Sequence, residues 1–407
     1  MPGRTPHIPR TRRLILLGCT GSIGRQTIEV VGGLNALSAA AGMPPAFEIV
    51  GLAAGSNVNA ALAQAEALGV RDAAVCAGGE AVREARARGV NLRAGDDAAE
   101  RLVREVECDV VLAAVVGAAG LPATLAAVER GVDVALANKE TLVAAGALVV
   151  PAAQGSGARL LPVDSEHSAI WQCLPPACVP PCALGPEVRR IVLTASGGPF
   201  RTWPLARVMA ATVEEALNHP TWKMGAKVTI DSASLTNKAL EVIEAHWLFG
   251  LEGPRIDAVI HPQSIVHSFV EFADGSVLAQ MGAPDMRTPI QYALTFPERP
   301  AGVSPKLDIL AMSRLDFEPV DAARFPALGL AQEVIAMGGT AGAVFNAANE
   351  AAVAAFLERR IPFGQVSRLA EAALRSPGGV GSWPVRSLAD VIAADAAARR
   401  FVALSLG

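Results

Sequence analysis

Three acidic residues, Asp164, Glu166 and Glu241, carry the most pointed chemistry in this 407-residue chain. The first two close the apolar run Leu160-Leu161-Pro162-Val163. In an extended backbone residues i and i+2 face the same way, so these two carboxylates converge. Glu241 arrives from a later helical stretch, where Asn237 at i−4 and Lys238 at i−3 share its face. Carboxylates gathered in one place repel each other unless a proton or a cation stands between them. The plainer alternative is a set of solvated charges, the usual fate of acids met singly. Glu244, one turn beyond Glu241, is read in that plainer way, while Leu240, Ile243 and Trp247 form the opposite, buried stripe.

Three polar loops lie between the strands expected around these acids. Thr194-Ala195-Ser196-Gly197-Gly198-Pro199-Phe200 offers a hydroxyl beside a glycine pair. Asn218-His219-Pro220-Thr221-Trp222-Lys223-Met224-Gly225 carries a histidine and a large aromatic on a segment read as mobile. Asp231-Ser232-Ala233-Ser234-Leu235-Thr236-Asn237-Lys238 opens the helix of Glu241. His261 and His267 are read as structural, since a lone histidine is commonly a satisfied polar residue.

The elements that must position these groups begin with a strand, Arg13 to Leu17, followed at once by Gly18-Cys19-Thr20-Gly21-Ser22-Ile23-Gly24 and a helical pattern. Strand, glycine turn and helix form a phosphate cradle: the backbone can approach a pyrophosphate, and the helix start supplies free N–H groups and partial positive charge. A second strand, Phe47 to Ala53, ends in Ala54-Gly55-Ser56-Asn57 without the acid that would hold a ribose 2′-hydroxyl, which favours the 2′-phosphorylated cofactor. Ala73 to Ala77, Asp109 to Val116 and Val132 to Leu136 read as further buried parallel strands. The last ends in Ala137-Asn138-Lys139-Glu140, polar groups expected in a ligand crevice. The fold class is therefore α/β, with an N-terminal Rossmann-like doubly wound domain.

A central α+β domain follows, with strands expected at Ile191 to Ala195, Val228 to Asp231 and Ala258 to His261 and a hairpin from Ser268 to Met281 turning at Asp274-Gly275. Proline-containing irregular sequence from Ala301 reads as a linker. Beyond Phe325 the pattern is helical, at Leu328 to Met337, Ala341 to Leu357, Val366 to Leu374 and Leu388 to Leu404, the last opened by Ser387 and Asp390 as a capping box. This is an α-helical bundle with nothing catalytic in it. The expected division is 1–12 disordered basic lead-in, 13–162 nucleotide-binding, 163–300 catalytic and dimerisation, 301–325 linker and 326–407 helical.

A formal charge of −4 without long like-charge blocks offers no electrostatic footprint for nucleic acid or an anionic membrane surface, so small molecules or a second copy are the expected partners. Leu14 to Leu17 is too short for a secretory signal. The uncharged stretch Val110 to Val128 is broken by Gly117, Gly120 and Pro122 and reads as strand, turn and helix, not as a membrane span. The six cysteines form no Cys-x-x-Cys pair, and reduced thiols in a cytoplasm are expected.

Taken together and in order, the glycine turn at 18–24, Ala137-Asn138-Lys139-Glu140, Val163-Asp164-Ser165-Glu166-His167-Ser168, Ser196-Gly197-Gly198-Pro199-Phe200, Asn218-His219-Pro220 with Trp222, and Asn237-Lys238 with Glu241 resemble the 1-deoxy-D-xylulose 5-phosphate reductoisomerases. The resemblance spans the chain after its lead-in. It implies an NADPH-dependent enzyme with a divalent cation, a homodimer of the cytoplasm, acting on a sugar phosphate in isoprenoid synthesis. It places Asp164, Glu166 and Glu241 as metal ligands, with Glu166, His219 and Lys238 as catalytic groups. Ser196, Ser232, Asn237 and Lys238 fall at the substrate phosphate, Ser165 and His219 near the sugar, and Trp222 in a lid. Thr20, Gly21, Ser22, Ile23, Gly55, Ser56, Asn57, Asn138, Lys139 and Glu140 fall at NADPH. Its use of Ser165 near substrate implies that the segment bends and does not run as a regular strand through Glu166.

Two departures stand out: Cys19 where a serine is common, and Ser56 where several members have a lysine that would meet the 2′-phosphate. The chemistry agrees with the implied roles. An all-carboxylate site is hard and suits Mg2+ or Mn2+ over zinc. Three neutral donors and one lysine suit a dianionic phosphate. Another NADPH-dependent dehydrogenase, on an amino-acid semialdehyde for instance, would explain the glycine turn but not the convergent carboxylates. A non-catalytic NADPH-binding protein would show no metal-dependent turnover.

Overall fold

The computed structural model of the chain describes residues 10–76, 82, 83, 85, 88–222, 224–376 and 382–406. Residues 1–9 of the basic lead-in, Ala77 at the end of one expected strand and Lys223 in the tryptophan loop lie outside them. The chain divides into two units of interleaved segments. One comprises Met1–Asn138, Gly155–Val163 and Asp285–Pro305, the other Lys139–Gln154, Asp164–Pro284 and Lys306–Gly407.

In the first unit, strands β1 (Arg12–Leu17), β2 (Phe47–Ala54), β3 (Asp72–Val75), β4 (Asn91–Ala94), β5 (Val110–Ala113), β6 (Asp133–Leu136) and β7 (Leu160–Pro162) form one sheet in the order β4-β3-β2-β1-β5-β6-β7. Every pair in it is parallel. Leu14 to Leu17, Leu52, Val110 to Leu112 and Val134 to Leu136 are buried, as strands covered on both faces must be. Helices α1 (Ser22–Ala40), α2 (Val58–Leu68), α3 (Ala98–Glu105) and α4 (Leu121–Glu129) make the crossovers. Pro122 in the first turn of α4 resolves Val110 to Val128 into strand, turn and helix. Among the described residues no helix is long and apolar enough to cross a membrane. Strand β4 was not anticipated: its four residues lack an apolar run, and its buried Arg93 is held by Asp72 at 2.9 Å and Glu105 at 2.8 Å.

The strand order reverses at β1, which is where an open α/β sheet presents its ligand crevice. Gly18 follows β1 with φ +85°, and a Cβ there would lie 2.3 Å from the carbonyl oxygen of Ala114, beyond β5. A Cβ on Gly24 would lie 2.3 Å from the carbonyl oxygen of Gly18. Both positions need glycine, one for its backbone angle and both for close approach. Gly18→Ala is expected to cost about 1–3 kcal/mol in denaturant unfolding and to weaken dinucleotide binding, through a displaced turn. Unchanged unfolding and unchanged fluorescence titration with NADPH would show that the turn accommodates a side chain.

In the second unit a four-stranded sheet runs β11-β10-β8-β9, formed by β8 (Val188–Ala195), β9 (Ile256–Ile260), β10 (Val266–Phe272) and β11 (Val277–Met281). β8 and β9 are parallel and the other pairs antiparallel. The hairpin turns at Asp274-Gly275, where Gly275 has φ +87° and Asp274 accepts the Ser276 N–H at 2.8 Å.

Helices α5 (Lys139–Ser156, kinked at Ala145), α6 (Ser165–Cys173), α7 (Leu205–Met209), α8 (Val213–Leu217), α9 (Ala226–Ala233) and α10 (Thr236–Phe249) carry most of the polar groups singled out above. Helices Ala327–Met337, Ala341–Leu357, Gln365–Arg375 and Leu388–Leu406 complete the unit. The Asp390 carboxylate accepts from the N–H and Oγ of Ser387, but the Asp390 N–H meets the Ser387 carbonyl and not its hydroxyl, so one half of the capping box forms.

Two local expectations are overturned. Val228 to Asp231 is not a strand but the middle of α9. Its β-branched residues read as extended, but Ile230 and Ala233 are buried three apart and Lys227 pairs with Asp231 four apart, a helical spacing. Nor does extended backbone run on through Glu166. β7 stops at Pro162, Asp164 is the N-cap of α6, and Ser165 and Glu166 occupy its first turn. An acid at the cap and another in the first turn satisfy free N–H groups and the helix dipole, which a continued edge strand would not.

Candidate active site

The start of α6 and the second turn of α10 bring the acids together within the second unit, where the start of α5 adds Lys139. Oxygens of Asp164, Glu166 and Glu241 lie within 4.8 Å of one another, a spacing one small cation can bridge. Convergence therefore comes from a helix start meeting a second helix, and not from alternation along a strand. Ser165 Oγ donates to Glu166 Oε2 at 2.5 Å and the Ser165 N–H to Asp164 Oδ1 at 3.1 Å. Ser268 of β10 donates to the main-chain oxygen of Glu166 at 3.0 Å, tying α6 to the sheet.

Two lysines offset the charge of this cluster. Lys139 Nζ is 2.5 Å from Asp164, 2.8 Å from Glu241 and 2.9 Å from Asn237 Oδ1. Lys238 Nζ is 2.6 Å from Glu166 and also donates to the other oxygen of Glu241. Asn237 donates to Glu241 as well. Lys139, expected at the cofactor, thus stands among the acids. Lys238 and Asn237, expected at a phosphate, are turned toward Glu241, because buried carboxylates take the nearest donors.

The electrostatics separate the acids. Burial pushes the Asp164 carboxyl up, but Lys139, His167 and Lys238 together outweigh it and hold the group at about 2. Burial and the neighbouring Glu241 charge raise Glu166 to about 7, against a smaller lowering by Lys238. Both lysines are disfavoured by burial, yet their carboxylate partners keep them above the ordinary lysine value.

Behind the acids lies a pair that sequence reading missed. Glu244, expected to be solvated, is 1% exposed, and burial and then the nearby Asp164 raise its carboxyl well above the ordinary value. It faces His167 Nδ1 at 3.4 Å, while His167 Nε2 donates to the main-chain oxygen of Glu241 at 2.8 Å. His167 therefore ties the helix of Glu166 to the helix of Glu241. Its position one residue after Glu166 was the available signal.

The hydroxyl loop and the tryptophan loop meet at Ser196 and His219. His219 Nδ1 accepts the N–H groups of Thr221 at 3.1 Å and Trp222 at 2.9 Å, so the ring proton sits on Nε2, which donates to Ser196 Oγ at 3.0 Å. Burial lowers the His219 pKa, in keeping with this neutral form. Trp222 is half-buried beside it. Gly198 backs onto α9, where a Cβ would lie 2.6 Å from the main-chain oxygen of Ser232, so Ser232 lies against the hydroxyl loop. His261 and His267 are buried. His261 is held by the Asp316 carbonyl at 2.8 Å and stacked on Phe317, a structural setting.

The positions expected at the cofactor are divided between the units. Thr20, Gly21, Ser22 and Ile23 form the turn into α1, which has Gly21 at its N-cap. Gly55, Ser56 and Asn57 follow β2, with a Cβ on Gly55 meeting nothing within 4 Å and Asn57 capping α2. Asn138 follows β6 and donates to Gly117 O at 2.9 Å. These fit a dinucleotide: glycine-lined backbone at a strand-order reversal, beside a helix start. Glu140 lies in the second unit, where Lys227 of α9 is 2.8 Å from it.

Comparison with known proteins agrees with this geometry. Residues 14–146 match the family model for 1-deoxy-D-xylulose 5-phosphate reductoisomerase, residues 160–249 its C-terminal domain model, and residues 281–401 the DXP reductoisomerase C-terminal domain model. The Bordetella avium protein named 1-deoxy-D-xylulose 5-phosphate reductoisomerase is 48% identical over 96% of this chain and 97% of its own. The Zymomonas mobilis enzyme of that name, solved in complex with NADPH, is 40% identical over 98% of this chain and 99% of its own, with a TM-score of 0.86. A DOX-P reductoisomerase in complex with NADPH, fosmidomycin and magnesium is 36% identical over 97% and 98%, with a TM-score of 0.87. On matches of this extent, with the acid cluster and the glycine turn both formed, the chain belongs to the 1-deoxy-D-xylulose 5-phosphate reductoisomerase family.

Proposed function

We propose that this chain rearranges 1-deoxy-D-xylulose 5-phosphate and reduces the resulting aldehyde with NADPH, giving 2-C-methyl-D-erythritol 4-phosphate for non-mevalonate isoprenoid synthesis. The observation that carries this reading is the convergence of Asp164, Glu166 and Glu241 within 4.8 Å. An NADPH-dependent dehydrogenase that only moves a hydride needs no such cluster. When bound there, Mg2+ or Mn2+ supplies a Lewis acid for the oxygens of a ketose phosphate. NADPH supplies the hydride, and the turn at 18–24 with Gly55, Ser56, Asn57 and Asn138 would hold it.

The chain's own groups do the rest. Glu166 gives up its proton as the cation binds, and Lys238 lies within reach of both Glu166 and Glu241 to steady negative charge as it develops. Lys139, among the same acids, is better placed to meet the substrate's hydroxyl oxygens than a nucleotide. Ser165, beside Glu166, serves the sugar. Neutral His219 holds Ser196 Oγ, Ser196 and Ser232 provide donors for the phosphate, and Asn237 joins them through the Nδ2 hydrogen that it does not give to Glu241. Trp222 closes over the substrate and excludes water.

We place the enzyme in the cytoplasm, where its six free cysteines would stay reduced, with neither nucleic acid nor membrane as partner. A homodimer is supported by β11, which ends the second sheet with Val277 53% and Leu278 48% exposed, an edge open to pairing. Leu278→Lys is expected to lower the dimer fraction in light scattering. An unchanged mass distribution would put the dimer contact elsewhere.

The function itself is tested by NADPH oxidation with 1-deoxy-D-xylulose 5-phosphate, with and without Mg2+ or Mn2+. Metal-dependent turnover is expected, and a folded sample without turnover removes the proposal.

A further inference from the structure

We infer that Asn349, on a C-terminal helix in which nothing reads as catalytic, is a positioning residue for the substrate phosphate, acting through Asp231 on Ser232. The inference rests on the function proposed above. Helix α9 carries Ser232 but spans only Ala226–Ala233, and its N-cap, Gly225, has no capping side chain. A helix this short is marginal without outside contacts.

Its apolar residues Ile230 and Ala233 belong to one buried cluster with Ala352, Val353 and Phe356 of the helix Ala341–Leu357. Apolar contact anchors α9 but leaves its rotation about its axis weakly determined, because such packing is non-directional. Rotation is set on another face. Lys227 Nζ lies 2.8 Å from Glu140 and 2.9 Å from Asp231, and Asn349 Nδ2 donates to the other Asp231 oxygen at 2.8 Å. Asp231 is 1% exposed and Asn349 0%. Holding a helix by buried charge is a costly alternative to apolar packing of the same volume, and its best-attested benefit is a defined register.

That register matters because Ser232 is the next residue along. The main-chain oxygen of Ser232 lies so close to Gly198 of the hydroxyl loop that a Cβ there would come within 2.6 Å of it. A small rotation of α9 therefore changes how Ser232 stands against Ser196. The lattice of bonds continues away from the site. Asn346 donates to Glu350 at 3.1 Å, and Arg399 of the last helix pairs with Glu350 at 2.6 Å. The helical segment thus fixes one side of the phosphate site without touching substrate.

Steady-state kinetics on the full chain test this, with sugar phosphate, NADPH and Mg2+ varied separately. Asn349→Leu keeps the size and removes the donor, so KM for the sugar phosphate should rise about 10-fold or more, with KM for NADPH and the Mg2+ requirement within about twofold. Lys227→Met should raise KM for both sugar phosphate and NADPH, because Glu140 loses its partner too. Asn349→Asp sets two carboxylates together and should raise the sugar-phosphate KM, while the paired exchange Asn349→Asp with Asp231→Asn restores a donor and should recover it.

A folded Asn349→Leu protein with wild-type KM overturns the inference, as does an equal rise in all three constants, the mark of general destabilisation. If Asn349→Leu does not fold, failure of the paired exchange to recover KM overturns it. Wild-type protein without turnover removes the proposed function, whereas wild-type turnover with unaltered variant KM removes only the role of Asn349.

Discussion

Glu241→Gln is expected to lower metal-supported kcat/KM by about 1000-fold, since a cation that stabilises developing oxyanion charge contributes several kcal/mol to the barrier. Glu241 has the most contacts of the three acids. One of its oxygens meets Lys139 and Asn237 and the other meets Lys238, and the residue is 1% exposed. The amide has the size of the carboxylate but neither its charge nor its affinity for a hard cation. Lys139 and Lys238 keep Asp164 and Glu166 as partners, so the fold should survive. The measurements are turnover against Mg2+ concentration, NADPH titration by fluorescence, and thermal melting. A folded variant with wild-type Mg2+ dependence would remove Glu241 from the metal site.

The second large effect is on pH. Burial and the Glu241 charge raise Glu166 to about 7, so the cation-free protein carries a proton there in mildly acidic solution. A cation must displace that proton. Apparent Mg2+ affinity should therefore fall about tenfold for each pH unit below about 7 and level off above it. Asp164 does not add to this slope in the same range, since Lys139 keeps it ionised. The same shift has a stability consequence of opposite sign to the usual carboxylate. A folded-state value above the unfolded one means that the folded protein binds the extra proton. Without metal, stability should then decline as pH rises from the ordinary glutamate range toward 7, and Mg2+ should reverse the decline. Melting curves with a chelator and with Mg2+ across that range decide it. A flat affinity profile between pH 5 and 8 would assign the proton elsewhere.

Both effects depend on contacts that sequence reading reached unequally. The glycine turn, the parallel strands around it and the hairpin at Asp274-Gly275 were legible because their signals are local. A positive φ, a two-residue period or a buried β-branched run is imposed by neighbours within a few residues. The C-terminal helices were legible for the same reason. The stretch 226–233 was misread because Val228-Thr229-Ile230 has strand propensity, and propensity yields to burial of the Ile230 face.

The chain's sequence alone determined which groups are available: three acids, two lysines in matching motifs, a histidine beside a tryptophan, and a glycine turn after a strand. Tertiary structure decided what they meet. Asp164 and Glu166 converge on Glu241 at a helix start, and Lys139 enters the acid cluster. Glu244 leaves solvent for His167, and Asn349 reaches Asp231 from more than a hundred residues away. Electrostatic and hydrogen-bonding energies fall with distance in space and with local burial, and neither quantity is written in the spacing of residues along the chain.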